Sequence, residues 1–180
     1  MYTRLLLILL LGTTLMCSCQ TEPLPVNSLA DRVTEGTSKD RILFRIIADE
    51  NNSSKDYFEI SSEDGKVLIT GNSDLSLSTG LNWYLKYVAG IHLSWNNLSQ
   101  KLPEVLPLPQ ETIRKETSMQ ARYYLNYCTY SYSMAFWDWE RWEKEIDWMA
   151  LHGINMPLSI TGMEVVWYNL LKRLGYTTEE

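Results

Sequence analysis

Hydrophobic and polar residues follow one another along this chain in three patterns, and each pattern asks for a different structure. The first is an apolar run, Leu5 to Met16, behind the basic residue Arg4. Its 12 residues fall short of the roughly 20 that cross a bilayer. The run reads as the apolar part of a secretory signal covering residues 1–18. Residues 19–40 are polar, carry Pro23, Pro25 and Gly36, and read as a tether with a short helical start from Leu29 to Val33.

The second pattern begins at Arg41. Ile42, Phe44 and Ile46 alternate with Leu43, Arg45 and Ile47, as in a strand with a buried face. A polar loop at Asn51 to Lys55 leads to a strand at Tyr57 to Ser61. Glu63-Asp64-Gly65 then forms a turn into a partner strand, Lys66 to Thr70. Asp74 is placed to cap a helix starting at Leu75. Leu77, Leu81, Tyr84, Leu85 and Val88 recur on one face of that helix, and Gly90 stops it. Ile91 to Trp95 reads as another short strand. Residues 41–100 thus predict a small α+β domain, one sheet with a helix against it. The prolines between Leu102 and Pro109 cannot sit in a central strand or a helix interior, so residues 101–118 read as an extended linker.

The third pattern runs from residue 119. Ala121 to Asn126 reads as a strand and Asp138 to His152 as a helix capped by Asp138, with Trp139, Trp142, Ile146 and Met149 as its buried stripe. Glu140 and Glu143 suit the positive end of the helix dipole, and Glu140 pairs with Lys144. Gly153 closes the helix, and Ile154 to Leu158 forms the next strand. Thr161 to Glu164 matches a capping box, opening a helix that runs to about Leu174, with Lys172 and Arg173 in its last turn and Gly175 beyond. Strand, helix, strand, helix with short connections is the start of a parallel α/β system. A closed (β/α)8 barrel takes about 250 residues, and only about 60 follow residue 119. The chain is therefore expected to be a fragment of a longer protein, inactive alone.

Charge and cysteine usage narrow the function. The formal net charge is −6 and no basic stripe occurs, so nucleic acid is not an expected partner. Ser18 precedes Cys19, and Gln20, Thr21 and Glu22 follow. This pattern resembles a bacterial lipoprotein signal, in which Cys19 becomes an acylated N-terminus and anchors the chain in a membrane, at the periplasm, outer membrane or cell surface. Cys17 is a rival acceptor, and simple secretion after ordinary cleavage is the plainer alternative. With Cys17 and Cys19 in the signal, Cys128 stands alone. No internal disulfide, metal or cofactor is expected.

The densest chemistry lies between Ala121 and Trp148, where ten aromatic residues fall. Such density suits sugar rings, whose CH faces stack on aromatic planes, and equally suits core packing. The helical spacing of the tryptophans favours core; Tyr130 and Tyr132, in the loop after the strand, fit either. Asn126 and Cys128 fall at the C-terminal end of the strand, where parallel barrels gather their active sites. Asn126 offers a donor and an acceptor to a sugar hydroxyl or acetamido group, or satisfies its own turn. Cys128 is small enough to line a tight pocket, or is an inert thiol.

The run from Arg122 to Asn155, RYYLNYCTYSYSMAFWDWERWEKEIDWMALHGIN, resembles the signature stretch of the α-N-acetylglucosaminidases, family 89 of the glycoside hydrolases. The likeness continues through MPLSITGMEVVW, Met156 to Trp167, and upstream in TGLNWYLKYVAGIHLSW, Thr79 to Trp95. The resemblance implies a small N-terminal α+β domain followed by the first two βα units of a (β/α)8 TIM barrel, at residues 119–180. It implies release of terminal α-linked N-acetylglucosamine with retention of configuration, by two glutamates on later strands that have no counterpart here. It places Asn126 and Cys128 in the sugar pocket, makes an N-acetylglucosamine-terminated glycan the partner, and makes the missing C-terminal part of the enzyme a second partner. Asp138, Glu140, Glu143, Glu145 and Asp147 are expected on a solvated helix face. Glu164 is the best local candidate for a pocket carboxylate, although its place in the capping box suffices to explain it. His92 and His152 read as structural. The competing reading is a surface glycan-binding lipoprotein without catalysis; a purely structural lipoprotein leaves the NYCTYSYS match unexplained. Asn97-Leu98-Ser99 would be a glycosylation sequon only in a eukaryotic protein.

Overall fold

The computed structural model describes residues 23–48, 55–160 and 162–177. The expected signal, the acylation site at Cys19 and the first position of the capping box, Thr161, lie outside the described residues.

The described chain opens with a helix, α1 (Pro25–Val33), with proline in its first turn. Val26, Leu29, Ala30 and Val33 are buried, the i, i+3, i+4, i+7 face of an amphipathic helix. The helical start read at Leu29 to Val33 is present but begins earlier, at Pro25, and the reading of residues 19–40 as a tether is corrected in that Val26, Leu29, Ala30 and Val33 belong to the core. Only four apolar positions carry the helix, too few to stand out among polar neighbours.

Four strands follow: β1 (Ile42–Ile46), β2 (Asp56–Glu63), β3 (Lys66–Gly71) and β4 (Ile113–Thr117), in the order β1-β3-β2-β4. β2 and β3 form the expected hairpin, with Ile60 opposite Ile69. Asp64 and Gly65 both take positive φ, 51° and 74°, as a two-residue type I′ turn requires. β1 lies parallel to β3 on the other side. The expected strand at Ile91 to Trp95 does not form; only Ser94 bridges to Asn97. Its alternation reflected burial, for Ile91 and Leu93 enter the core. The fourth strand is β4, antiparallel to β2, inside the segment read as linker at 101–118. Its charged residues pair across to β2 and its flank, Arg114 with Glu59 at 2.6 Å and Glu116 with Lys55 at 2.5 Å. Ion pairs rather than apolar alternation mark this edge, which is why periodicity passed over it.

The helix α2 (Asp74–Tyr87) lies against this sheet. Ser73 is its cap, the hydroxyl accepting from the Ser76 N–H, and Asp74 occupies the first turn. Leu77, Leu81, Tyr84 and Leu85 are fully buried. Gly80 sets the approach: a Cβ there would lie 2.8 Å from Ile69 Cγ2 and 3.2 Å from Phe58 Cγ.

The second region consists of β5 (Tyr123–Tyr124), α3 (Tyr127–Thr129), a π-helical turn (Tyr130–Met134), α4 (Trp139–Leu151), β6 (Met156–Pro157) and α5 (Met163–Arg173). β5 and β6 pair in parallel, Tyr123 with Met156 and Tyr124 with Pro157. This is the strand–helix–strand unit that the sequence predicts. Asp138 caps α4, accepting from the Arg141 N–H at 2.9 Å, and Gly153 ends it at φ 71°.

The face that α4 buries differs from expectation. Trp139 is 69% exposed and Ile146 46%, whereas Glu145 and Asp147, expected on the solvated face, are buried with Met149 and Leu151. Leu151 joins the core of the first region. The surface that receives α4 belongs to the N-terminal domain and presents hydrogen-bond donors as well as apolar atoms. Its carboxylates are therefore satisfied inside the contact rather than by water.

Candidate functional site

The candidate site begins where β5 ends. Leu125 adopts φ 73°, a left-handed conformation that costs a non-glycine residue about 1–2 kcal/mol. Strain of this kind persists only where both flanks are held. On one flank Tyr124 is anchored; on the other, Asn126 returns to extended backbone and caps α3. Asn126 Oδ1 accepts from the Thr129 N–H and hydroxyl, each at 3.0 Å. The turn leaves Asn126, Tyr127 and Cys128 exposed just past the strand. Asn126 thus does satisfy its own turn through the oxygen. Among the described residues its Nδ2 meets no acceptor, so a donor remains for a ligand.

The segment then winds into the π-helical turn at Tyr130 to Met134. Such turns are rare and concentrate at functional sites. Tyr132 is 83% exposed. The Tyr130 hydroxyl donates to Glu164 Oε2 at 3.5 Å, a long contact that bridges the loop after β5 to the first turn of α5. Glu164 is exposed, and α5 opens at Gly162, φ 83°, without a side-chain cap. Glu164 therefore stands at the loop side of the strand pair, next to a tyrosine.

Beneath this loop lies a polar node that the sequence hides. Glu145 is fully buried and accepts three hydrogen bonds. Trp95 Nε1 donates at 2.7 Å, Arg141 Nη2 at 3.1 Å and the Tyr124 hydroxyl at 3.0 Å. Burial, and secondarily the Glu145 charge, push the Tyr124 hydroxyl up to about 12, because both disfavour the phenolate. The Arg141 guanidinium lies 4.0 Å from the Trp137 ring and 4.6 Å from that of Trp95. Two residues further on, Asp147 accepts from Arg32 Nε and Nη2, each at 2.7 Å. This bidentate geometry raises the Arg32 pKa, chiefly through the Asp147 hydrogen bond.

These contacts, with Asn82 Nδ2 donating to the Leu151 carbonyl at 3.1 Å and Arg122 paired with Asp56, join the two regions. Arg141 with Glu145 is an i,i+4 pair, a spacing the sequence does show. Arg32 and Asp147 are 115 positions apart, and nothing local announces them. A cavity of about 160 Å³ lies at the same junction, lined by Asp56, Tyr57, Thr79, Arg122 and His152 among others. A larger groove, about 590 Å³, runs between Arg32, Trp95 to Ser99 and the α4 residues Glu140, Arg141, Glu143, Lys144 and Asp147. Asn126 and Cys128 line neither. His152 stacks on Trp148 with ring centroids 4.0 Å apart, and His92 is exposed.

Chemically, the loop offers an amide donor, a thiol, tyrosine hydroxyls and open aromatic faces, which suit a polar ring ligand. Among the described residues it assembles no carboxylate pair, since Glu145 and Asp147 are spent on the contact between regions.

Two family models match the chain. Residues 24–108 match the α-N-acetylglucosaminidase (NAGLU) N-terminal domain, and residues 122–180 match the α-N-acetylglucosaminidase (NAGLU) TIM-barrel domain. Human α-N-acetylglucosaminidase is 41% identical over 115 residues, 64% of this chain and 16% of that protein. A family 89 glycoside hydrolase from Clostridium perfringens, solved in complex with 2-acetamido-1,2-dideoxynojirmycin, superposes with a TM-score of 0.76 at 41% identity. The match covers 86% of this chain and 18% of that one. A form of the Clostridium perfringens enzyme with two glutamates replaced by glutamine, bound to its substrate GlcNAc-α-1,4-galactose, gives a TM-score of 0.75. The chain thus spans less than a fifth of the length of the relatives it matches.

Proposed function

This chain belongs to the α-N-acetylglucosaminidase family, glycoside hydrolase family 89, and from that premise we propose that it forms the opening part of an exported, retaining enzyme that removes terminal α-linked N-acetylglucosamine from glycans. Its share of the work is to carry the N-terminal domain and to supply one part of the sugar pocket's edge. The observation that supports this best is the turn at Leu125. A strained residue sits at the C-terminal end of the first parallel strand, and it delivers Asn126 and Cys128 to the side where barrel enzymes bind substrate. In this reading the Asn126 amide donates to the sugar's hydroxyl or acetamido oxygen, and Cys128 bounds the pocket where a larger side chain would intrude.

Retaining hydrolysis needs two carboxyls about 5–5.5 Å apart, one the nucleophile and one the acid and base. Glu145 and Asp147 are occupied by Trp95, Tyr124, Arg141 and Arg32, and Glu164 faces Tyr130. In this reading these three carboxylates hold structure rather than perform the hydrolysis. Purified chain is expected to release no phenol from an aryl α-N-acetylglucosaminide; turnover would contradict the reading. In the complete enzyme, Asn126→Ala is expected to lower kcat/KM about 10- to 100-fold, the loss of one or two hydrogen bonds to substrate. An unchanged kcat/KM would remove Asn126 from the pocket. The export reading includes acylation at Cys19. Metabolic labelling with a fatty-acid analogue is expected to mark the chain and not its Cys19→Ser variant.

A further inference from the structure

We propose that Glu145 is a positioning residue: by holding the Tyr124 hydroxyl it fixes the strained turn at Leu125, and through Trp95 it ties the geometry of Asn126 and Cys128 to the N-terminal domain. The proposal rests on the reading above only for what those two residues are for.

A fully buried carboxylate is costly unless its oxygens are paired. For stability alone, an apolar residue of similar size serves as well or better. Glu145 instead draws one donor from each of three segments: Trp95 from the N-terminal domain, Tyr124 from β5 and Arg141 from its own helix. That arrangement fixes positions. Tyr124 is held at both ends, its hydroxyl by Glu145 and its carbonyl by the Leu158 N–H at 3.0 Å. One residue then separates it from Asn126, and that residue is Leu125 at φ 73°. Releasing the hydroxyl frees the flank that keeps Leu125 left-handed, and the neighbouring Asn126 cap loses its alignment. The Arg32–Asp147 pair is a built-in control. It joins the same two regions through the same helix and has no contact with Tyr124 among the described residues.

The test reads amide hydrogen exchange in the full chain at the Thr129 N–H, which Asn126 Oδ1 holds. Tyr124→Phe keeps the ring packed on Trp148 (centroids 5.2 Å apart) and removes only the hydroxyl. It is expected to speed Thr129 exchange about tenfold. Glu145→Ala is expected to do at least as much. Glu145→Gln keeps an acceptor for Trp95 and an amide for the tyrosine oxygen, so it is expected to restore most of the protection. Arg32→Ala is expected to lower overall stability and leave Thr129 unchanged relative to its neighbours. Equal exchange in Tyr124→Phe and the unaltered chain would overturn the proposal. So would an Arg32→Ala effect at Thr129 as large as that of Tyr124→Phe. Should Glu145→Ala fail to fold, Tyr124→Phe and Glu145→Gln decide. A rim that loosens as expected while Asn126→Ala leaves kcat/KM intact would sink the pocket reading and spare the relay.

Discussion

The opening barrel unit has the more apolar sequence of the two regions, yet it is the N-terminal domain that closes a core. In the N-terminal domain, α1 and α2 close over a four-stranded sheet, and Ile60, Val67, Ile69, Leu77 and Leu81 lose essentially all contact with water. In the barrel unit, α5 buries nothing among the described residues, and Val165, Val166 and Trp167 stay largely exposed. Helix α4 stands between the two: one side is docked through Glu145, Asp147 and Leu151, while Trp139 and Ile146 remain open. Hydrophobic composition therefore does not by itself make a core. A helix is stabilised to the extent that a facing surface removes its apolar atoms from water.

The largest effect that sharpens this contrast comes from paired truncations. Leu81→Ala is expected to cost about 2–5 kcal/mol, the range for a leucine removed from a filled core. Val166→Ala on α5 is expected to change stability by no more than about 0.5 kcal/mol. Urea unfolding followed by circular dichroism checks both; equal costs would erase the contrast.

The junction comes next. Asp147→Ala leaves Arg32 without its bidentate partner, and Arg32 is itself 40% exposed. The expected cost is about 1–3 kcal/mol, below that of breaking a fully buried pair. A cost near zero would mean that α4 is held by Leu151 and its apolar neighbours alone.

Alkaline pH gives a smaller, graded effect. Burial pushes the Tyr84 hydroxyl up to about 12, and burial with the Glu145 charge does the same for Tyr124. An unfolded tyrosine titrates near 10. The folded state therefore holds these protons more tightly. Their contribution to stability is complete below about pH 10 and is lost as pH rises through about 12. Urea midpoints at pH 9 and 11 are expected to fall, with a shallower slope in Tyr124→Phe. The smallest effect is expected on the outer face of α4, where Lys144 meets Glu140 at 2.9 Å in water. Lys144→Ala should cost about 0.2–0.5 kcal/mol.

How far the sequence discloses this structure depends on the range of the signal. Local signals carried well. The Asp64-Gly65 turn, the Asp138 cap, the α2 stripe and the parallel strands around α4 all follow from spacing and turn chemistry. Signals that need a distant partner did not carry. α1 reads as a tether with only a short helical start, because its four buried residues matter only once α2 is present. β4 looked like linker because its edge is charged. Glu145 and Asp147 looked solvated because Trp95 and Arg32 lie far away in sequence. At the candidate site, the sequence marks Asn126 and Cys128 but gives no sign that Leu125 is left-handed or that a π-helical turn follows. Both are set by what holds the strand end from outside it.

The central claim is that the first barrel unit is assembled on the N-terminal domain, so that the strand end at Leu125 is held from below. Limited trypsin digestion of the folded chain, read by mass spectrometry, tests it most directly. Lys172 and Arg173 in the open helix α5 are expected to be cut first, while Arg122, Arg141 and Lys144 survive in a resistant piece that retains α4. Cleavage at Arg122 or Arg141 as fast as at Lys172, leaving a resistant piece that stops after β4, would contradict it.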